Sequence, residues 1–288
     1  MKFGVLPPYR TGAVGDPAWM VRFAQLVEHL GFESIYVVEH VVVPTGYAER
    51  YPYAESGRMP LPDDCPIPDP LDLLAHLAGV TTTLILGTGI VVLPEHHPVQ
   101  LAKRCATIDL FSGGRLRLGV GVGWMQEEIE AVGVDFATRG RRTDEAIQAM
   151  RALWTQPSAS FHGDIFSFDG LVSRPQPSTA GGVPIHIGGH APAAARRAGK
   201  FGDGFQPLGL DDTLLVDRLA TMRAAAETAE RDPAAIELTL GGLVGRTTGA
   251  DIERASAQGA DRLLLSTITA DMNELEPLLT GFARDHLD

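Results

Sequence analysis

The sequence predicts a single α/β domain over residues 1–288, a (β/α)8 TIM barrel with two insertions. Short apolar runs alternate with helix-like segments about eight times, glycines recur at the strand ends, and no linker divides the chain. A barrel of this kind needs about 250 residues, and the excess lies in Val43–Pro68, after strand two, and in Thr155–Val183, before strand five. A doubly wound sheet is the alternative, although no Gly-x-Gly-x-x-Gly opens a helix after the first strand.

Each predicted strand is a short run of apolar or β-branched residues bounded by turn residues. The second strand delivers Glu39 and His40 at its carboxyl end. The predicted strands are Phe3–Leu6, Ser34–Glu39, Leu84–Val92, Arg115–Gly121, Ile185–Ile187, Gly204–Pro207, Ile236–Val244 and Arg262–Ser266.

The predicted helices begin at capping residues and end at glycines. Asp16-Pro17 and Asp69-Pro70 are typical starts, because aspartate accepts from free amides and proline suits the first turn. Gly31 and Gly113-Gly114 are typical ends. The predicted helices are Pro17–Leu30, Asp69–Thr82, Pro98–Phe111, Met125–Val132, Arg142–Trp154, one that begins at Pro192, Asp211–Arg231, Ala250–Gln258 and Asp271–Ala283, with a small hairpin at Ser160–Phe166.

Composition excludes several classes of partner. The net charge is −12 and the 24 Lys and Arg residues are scattered, which argues against nucleic acid and membrane surfaces as partners. No apolar run approaches the roughly 20 residues of a membrane span, and none is typical of a signal peptide. Cys65 and Cys105 have neither metal-binding nor redox spacing, so we expect a cytoplasmic protein.

The segment Gly188-Gly189-His190, followed by a helix from Pro192, predicts an anion site. Glycines let backbone approach a ligand closely, and the free amides at a helix start attract negative charge. A phosphate is the expected occupant. The alternative is an ordinary joint between a strand and a helix.

The carboxyl ends of the strands predict a cofactor platform, because active sites of such barrels lie at that face. The face contains few acids and has no nucleophile triad or Schiff-base lysine. We expect His40 to act as general acid or base, Glu39 to orient His40 or a cofactor ring, and Trp124 to pack on a planar ligand. Metal is not expected, since Glu95-His96-His97 lacks ligand spacing. The face is formed by Glu39, His40, Thr88, Gly89, Ile90, Gly121, Val122, Gly123, Trp124, Gly188, Gly189, His190 and Gln206.

These motifs resemble the bacterial luciferase-like superfamily, and most closely its branch of oxidoreductases dependent on the deazaflavin coenzyme F420. The resemblance rests on the segments Leu86–Pro94, Ser112–Leu116, Gly119–Trp124 and Ile185–Gly189, and on Phe136, Arg139, Arg142 and Glu145. It implies a cis peptide at Gly89-Ile90 behind the central ring of the cofactor. It also implies a phosphate site at Gly188, Gly189 and His190, and a pocket wall at Val122, Gly123 and Trp124.

The resemblance implies an F420-dependent oxidoreductase that moves a hydride to or from a small organic substrate. Arg139, Arg142, Arg196 and Arg197 are candidate helpers for the acidic tail of the coenzyme. The family's sugar-phosphate dehydrogenases have glutamate where Trp124 stands and tryptophan where Pro44 stands, so the substrate is left open. The alternatives are an FMN-dependent monooxygenase, a flavin- or deazaflavin-binding barrel without turnover, and a cofactor-free isomerase or aldolase. Relatives are often dimers, so we expect a homodimer.

Overall fold

The computed structural model describes residues 1–287 as a closed barrel of eight parallel strands surrounded by helices. The strands are β1 (Lys2–Leu6), β2 (Ser34–Val37), β3 (Ile85–Thr88), β4 (Val91–Val92), β5 (Leu116–Gly121), β6 (Ala159–His162), β7 (Ser167–Leu171), β8 (Ile185–Gly188), β9 (Gly204–Gln206), β10 (Glu237–Leu243) and β11 (Arg262–Ser266). The helices are α1 (Pro17–His29), α2 (Pro70–Ala78), α3 (Pro98–Ser112), α4 (Gln126–Ala131), α5 (Arg139–Thr155), α6 (Pro192–Phe201), α7 (Asp212–Thr228), α8 (Gly249–Ala257) and α9 (Met272–His286).

The barrel closes between β3 and β5, where Leu86 pairs with Leu116. The other neighbours follow in the order β3, β2, β1, β11, β10, β9, β8 and β5, and every one of these pairs is parallel. All eight strands therefore end at one face. The predicted (β/α)8 barrel is confirmed.

The third predicted strand is divided, so the prediction of one strand over Leu84–Val92 was wrong. The chain leaves β3 after Thr88, turns at a cis peptide bond between Gly89 and Ile90, and resumes as the two-residue β4. The cis bond itself is confirmed at the predicted position. A short 3-10 helix, Leu93–Glu95, follows at once and places Glu95 at the carboxyl face of the barrel.

Both insertions pack on the barrel. Residues 43–68, all of them described, form no helix or strand, yet Tyr47 and Met59 within them are buried. Residues 155–183 contain the antiparallel hairpin of β6 and β7, in which Phe161 faces Phe168. The hairpin extends five residues beyond the predicted Ser160–Phe166.

The amino-terminal end of the barrel contains a buried ion network. Arg262 is fully buried and donates to both carboxylate oxygens of Glu33, at 2.8 and 2.7 Å, and to Glu237 at 3.2 Å. Burial opposes ionisation of Glu33, but the hydrogen bonds and charge of Arg262 hold its pKa at about 2. Burial also lowers the pKa of His186 to about 3, so this imidazole is neutral. The network is structural and lies away from the strand carboxyl ends.

No helix within residues 1–287 has the length and apolar character that a membrane crossing requires.

Candidate functional site

His40 lies just past the end of β2 and is held by Glu128. Its Nδ1–H donates to Glu128 Oε2 at 2.7 Å, and the amide of Val41 donates to Glu128 Oε1 at 2.6 Å. Glu128 is buried in the first turn of α4, where the positive end of the helix dipole favours a carboxylate. Because Nδ1 is committed to this carboxylate, Nε2 is the ring nitrogen left to exchange a proton with a substrate.

Sequence reasoning missed Glu128, although a signal for it was present. The residue follows Gly123-Trp124 by four positions, on the helix that opens from the end of β5. An acid in the first turn after a glycine-rich strand end is placed toward the mouth of the barrel. The 88 residues that separate it from His40 gave no hint of the pairing.

Glu39 contacts other groups than His40. Its carboxylate accepts from the amide of Val92 at 2.6 Å and from His96 Nε2 at 2.9 Å. The side chains of Glu39 and His40 point in different directions, as consecutive side chains along a strand do. Glu39 therefore fixes the chain that follows the cis bond, and Glu128 has the orienting role toward His40 that was considered for Glu39.

Glu95 adds a third carboxyl group to this region. Both of its oxygens are buried, and neither has a hydrogen-bond partner within residues 1–287. Burial, and then the charges of Glu128 and Glu39, raise its pKa to about 9. The expectation that this face is short of acids was wrong, because α4 and the short helix after β4 bring their carboxyl groups to the end of β2.

No group of three or more His, Cys, Asp or Glu side chains suited to a metal ion occurs in the described part of the chain.

The glycines at the ends of β5 and β8 contact Ile90. A Cβ on Gly121 would lie 2.8 Å from Ile90 Cδ1, and one on Gly188 would lie 2.6 Å from Ile90 Cγ2. Thr88 is also committed, since its hydroxyl donates to the carbonyl of Gly119 at 2.7 Å. These glycines thus admit the Ile90 side chain, a role that the sequence had suggested for a ligand.

Gly123 and Val122 continue the strand end toward Trp124. Gly123 has φ +75°, a conformation that favours glycine, and a Cβ there would meet Val92 at 2.7 Å. Val122 and Trp124 are half-buried. The segment that the resemblance implied as a pocket wall therefore packs closely against β4, through Val92, and against α4, through Ile129.

The turn that was predicted to bind a phosphate has one amide already engaged within the protein. Gly189 has φ +121°, and its amide donates to the carbonyl of Gln206 at 3.2 Å, so it is occupied. The amides of His190 and Ala191 have no acceptor within residues 1–287. Arg218, which the sequence did not single out, reaches this turn and donates to the carbonyl of His190 at 2.8 Å.

The four arginines suggested for the coenzyme tail differ in the hydrogen bonds and ion pairs that they form. Arg139 donates to the carbonyl of Phe136, and Arg142 donates to that of Pro94, each at 2.9 Å. Both guanidinium groups also lie over aromatic rings, Arg139 over Phe136 and Arg142 over Phe166, and neither is paired with a carboxylate within residues 1–287. Arg197 is buried and paired with Asp144, whereas Arg196 is exposed.

The first insertion closes over the site with aromatic rings. Trp124 contacts His40, Tyr47 and Tyr51 edge to face, with centroid separations of 6.1, 5.4 and 5.2 Å. Tyr51 contacts Tyr53 at 5.4 Å, and Tyr53 contacts His190 at 4.9 Å. The rings run without a break from His40 to the predicted phosphate turn.

Gln206 supplies an unsatisfied polar group at the end of β9. The residue is 9% exposed, and neither the nitrogen nor the oxygen of its carboxamide has a partner in residues 1–287. A buried amide without partners costs free energy that a ligand recovers. A flavin or deazaflavin ring has an N–H beside carbonyl oxygens at its pyrimidine edge, and a carboxamide matches that pattern. The residues present therefore fit such a ring.

The family model of luciferase-like monooxygenases matches residues 1–276. The chain belongs to the luciferase-like monooxygenase family. An uncharacterized protein of Mycobacterium tuberculosis is 32% identical over 217 residues, which are 75% of this chain and 74% of that protein.

Two further relatives of this luciferase-like chain are named for different cofactors. The F420-dependent glucose-6-phosphate dehydrogenase of Amycolatopsis mediterranei is 28% identical over 230 residues, 78% of this chain and 64% of that enzyme. The FMNH2-dependent dimethylsulfone monooxygenase of Pseudomonas putida is 29% identical over 185 residues, 63% of this chain and 46% of that enzyme. The family thus contains relatives of both cofactor types.

Solved structures agree on the fold. The monooxygenase RslO1 from Streptomyces bottropensis has a TM-score of 0.78 at 21% identity, with 100% of this chain and 98% of that chain covered. An F420-dependent secondary alcohol dehydrogenase in complex with an F420-acetone adduct has a TM-score of 0.77 at 18% identity, with 98% and 97% covered. At these identities the likeness supports the fold alone.

Proposed function

We propose that this chain is an F420-dependent oxidoreductase that transfers a hydride between the deazaflavin and a small organic substrate. The observation that carries the proposal is the His40–Glu128 pair, because it leaves Nε2 of His40 to exchange the proton that accompanies hydride transfer. The bound deazaflavin supplies the carbon that accepts or donates the hydride.

His40 has the central role in the proposed mechanism. When a substrate hydroxyl is oxidised, its carbon loses a hydride and its oxygen loses a proton, which Nε2 accepts. Glu128 then stabilises the imidazolium through the 2.7 Å hydrogen bond. In the reverse direction Nε2 returns the proton to the carbonyl oxygen.

The surrounding residues orient and shield the reacting groups. Ile90, packed against Gly121 and Gly188, would form the wall behind a bound ring, and Gln206 would hydrogen-bond the ring's polar edge. Tyr47 and Trp124 exclude water from the space beside His40. The free amides of the turn after Gly189 would hold the coenzyme phosphate.

The substrate class proposed is a neutral molecule. The carboxyl groups of Glu39, Glu95 and Glu128 lie close to His40 or to one another, which disfavours an anionic substrate. Arg58 lies over the ring of Tyr47, but its guanidinium is paired with Asp63. An uncharged alcohol or carbonyl compound fits this charge distribution better than a sugar phosphate does.

Titration of the apo-protein with F420 and with FMN, followed by fluorescence, tests the proposal. We expect tight binding of F420 and transfer of hydride to or from an alcohol or ketone. Tight binding of FMN alone, with oxygen consumed on reduction, would establish the second candidate, an FMN monooxygenase. Binding of F420 with no turnover of any offered substrate would favour a carrier protein.

The variant His40→Gln separates binding from chemistry. We expect it to bind F420 about as well as the parent and to lose about 100-fold in kcat, within the usual range for a general acid or base. His162→Gln, an exposed position in the β6–β7 hairpin, is the matched control and should keep full activity. Equal kcat in the two variants would remove His40 from the mechanism.

A further inference from the structure

Gly241, in the middle of β10, faces the interior of the barrel and has open space beside it. Thr239, two residues earlier, accepts a hydrogen bond from the buried Arg262 at 3.2 Å inside the barrel. Alternate side chains of a strand share a face, so Gly241 faces inward as well. A Cβ on Gly241 would have Leu208 Cδ1, at 3.8 Å, as its nearest neighbour within residues 1–287.

The other glycines of the barrel strands differ from Gly241, because protein atoms already occupy the space beside them. A Cβ on any of them would lie 2.8 Å or less from another residue. These glycines are Gly4, Gly87, Gly119, Gly121, Gly188, Gly204 and Gly242. Gly241 is also exposed although it belongs to a barrel strand. Close packing therefore explains the other glycines and leaves Gly241 to a ligand.

Apolar side chains border the space beside Gly241. Leu264 on β11 pairs with Gly241, and its two methyl carbons lie 3.4 Å from the Cβ position of Gly4 and 3.9 Å from that of Gly89. Leu264 is therefore an interior side chain, and it is only half-buried. Leu208 borders the space from the end of β9.

The apolar border continues to the mouth of the barrel. Leu208 follows β9 by two residues and is 49% exposed, and Ile268 follows β11 by two residues and is 62% exposed. Leu243, the last residue of β10, is half-buried. Apolar surface of this kind gains free energy when a ligand's apolar group removes it from water.

The apolar space is continuous with the site described above. Leu264 reaches Gly89 of the cis peptide bond. A Cβ on Gly209, next to Leu208, would lie 3.5 Å from the ring of Tyr53, one of the aromatic residues that lead back to His40. A space that opens between the cis bond and this aromatic cover fits part of a small substrate better than it fits the surface of another protein.

We propose that Gly241, Leu208 and Leu264 form a subsite for the apolar part of the substrate, an alkyl or aryl group attached to the alcohol or carbonyl carbon. Because residue 241 has no side chain, the group admitted there can be large. The inference rests on the proposed function for the reaction at the polar end of the substrate. Each methylene that enters the subsite should improve binding about fourfold, the usual effect of burying that group.

The first test needs no turnover. The probe is 2-octanone, added to protein with 13C-labelled leucine methyl groups, with and without F420. We expect it to shift the methyl signals of Leu208 and Leu264, and we expect Gly241→Leu to weaken its binding at least tenfold. Gly249→Leu is the matched control, since Gly249 is exposed at the start of α8 and a Cβ there has no atom within 4 Å.

Gly241→Ala covers the case in which Gly241→Leu does not fold, and its smaller side chain should weaken binding by a smaller factor. Shifts confined to other leucines would overturn the proposal. Affinities for 2-octanone that are equal in the parent and in a folded Gly241 variant would overturn it as well.

The second test follows oxidation of secondary alcohols from 2-propanol to 2-octanol with F420. In the parent, kcat/KM should rise with chain length, whereas in Gly241→Leu the rise should end after the shortest members. Gly249→Leu should keep the dependence of the parent, and an unchanged dependence in Gly241→Leu refutes the subsite. If no alcohol is oxidised while 2-octanone still binds in the manner that depends on Gly241, the proposed function fails and the apolar subsite stands.

Discussion

Replacement of Glu95 by glutamine is expected to stabilise the protein increasingly as the pH rises. The side chain has a pKa of about 9 in the folded protein and 4.5 as the reference value. A folded pKa above the unfolded one means that the native state binds the extra proton. The contribution of Glu95 to the free energy of unfolding is therefore greatest below pH 4.5 and decreases as the pH rises to about 9.

The magnitude follows from this interval. One pKa unit corresponds to about 1.4 kcal/mol, so the 2.5 units between pH 4.5 and pH 7 amount to about 3 kcal/mol. Glutamine has nearly the same shape and cannot ionise, so Glu95→Gln should lack this loss. We expect the variant to be more stable than the parent by about 3 kcal/mol at pH 7, and to match it near pH 4.5.

Urea unfolding at pH 5, 7 and 8.5 measures the difference in the free energy of unfolding. Glu253→Gln, at an exposed position of α8, is the matched control and should track the parent at every pH. A constant difference between Glu95→Gln and the parent over this range would refute the reasoning, because it would place the ionisation of Glu95 below pH 5.

Three other substitutions test separate parts of the structure. Glu128→Gln removes the anion that holds His40, so kcat should fall about 100-fold with little change in KM, as steady-state kinetics would measure. Gly188→Ala places a Cβ 2.6 Å from Ile90, so unfolding should become easier by about 1–3 kcal/mol and cofactor titrations should weaken. Arg262→Met leaves buried carboxylates without their cation and should cost about 3 kcal/mol in urea unfolding.

Each substitution has a control close to it in kind. Glu127→Gln, the control for Glu128→Gln, changes the neighbouring carboxylate, which accepts from the amide of Ala48 and does not contact His40. Gly249→Ala introduces a Cβ with no atom within 4 Å. Lys2→Met removes an exposed cation from Glu237. A control that loses as much as its test variant would contradict the corresponding interpretation.

The features of this structure that could be predicted are those that depend on short-range sequence patterns. Short apolar runs bounded by turn residues, aspartate caps before proline and glycines after helices identified eight strands and their helices within a few residues. The sequence also located His40 at a strand end, because the length of a buried run determines where it emerges. The motif around Gly89-Ile90 carried the cis bond through its resemblance to a family.

The errors lie where two distant segments meet. The strand over Leu84–Val92 was drawn too long, because an apolar run does not reveal a turn within it. The sequence predicted that Gly121 and Gly188 leave space for a ligand. In the structure they leave space for Ile90, which neither of them adjoins in sequence. A sequence shows where a glycine lacks a side chain, but it does not show which group packs into the space that results.

The sequence by itself thus determined the barrel, its carboxyl-end face and the histidine on it, since these follow from the alternation of short apolar runs with helices and from the parallel direction of the strands. Only the tertiary structure decided which acid serves that histidine. Glu39 adjoins His40 and turns away from it, whereas Glu128, 88 residues distant, holds it. The charge of Glu95 was decided in the same way, because a pKa depends on burial and on neighbours that closure of the barrel brings together.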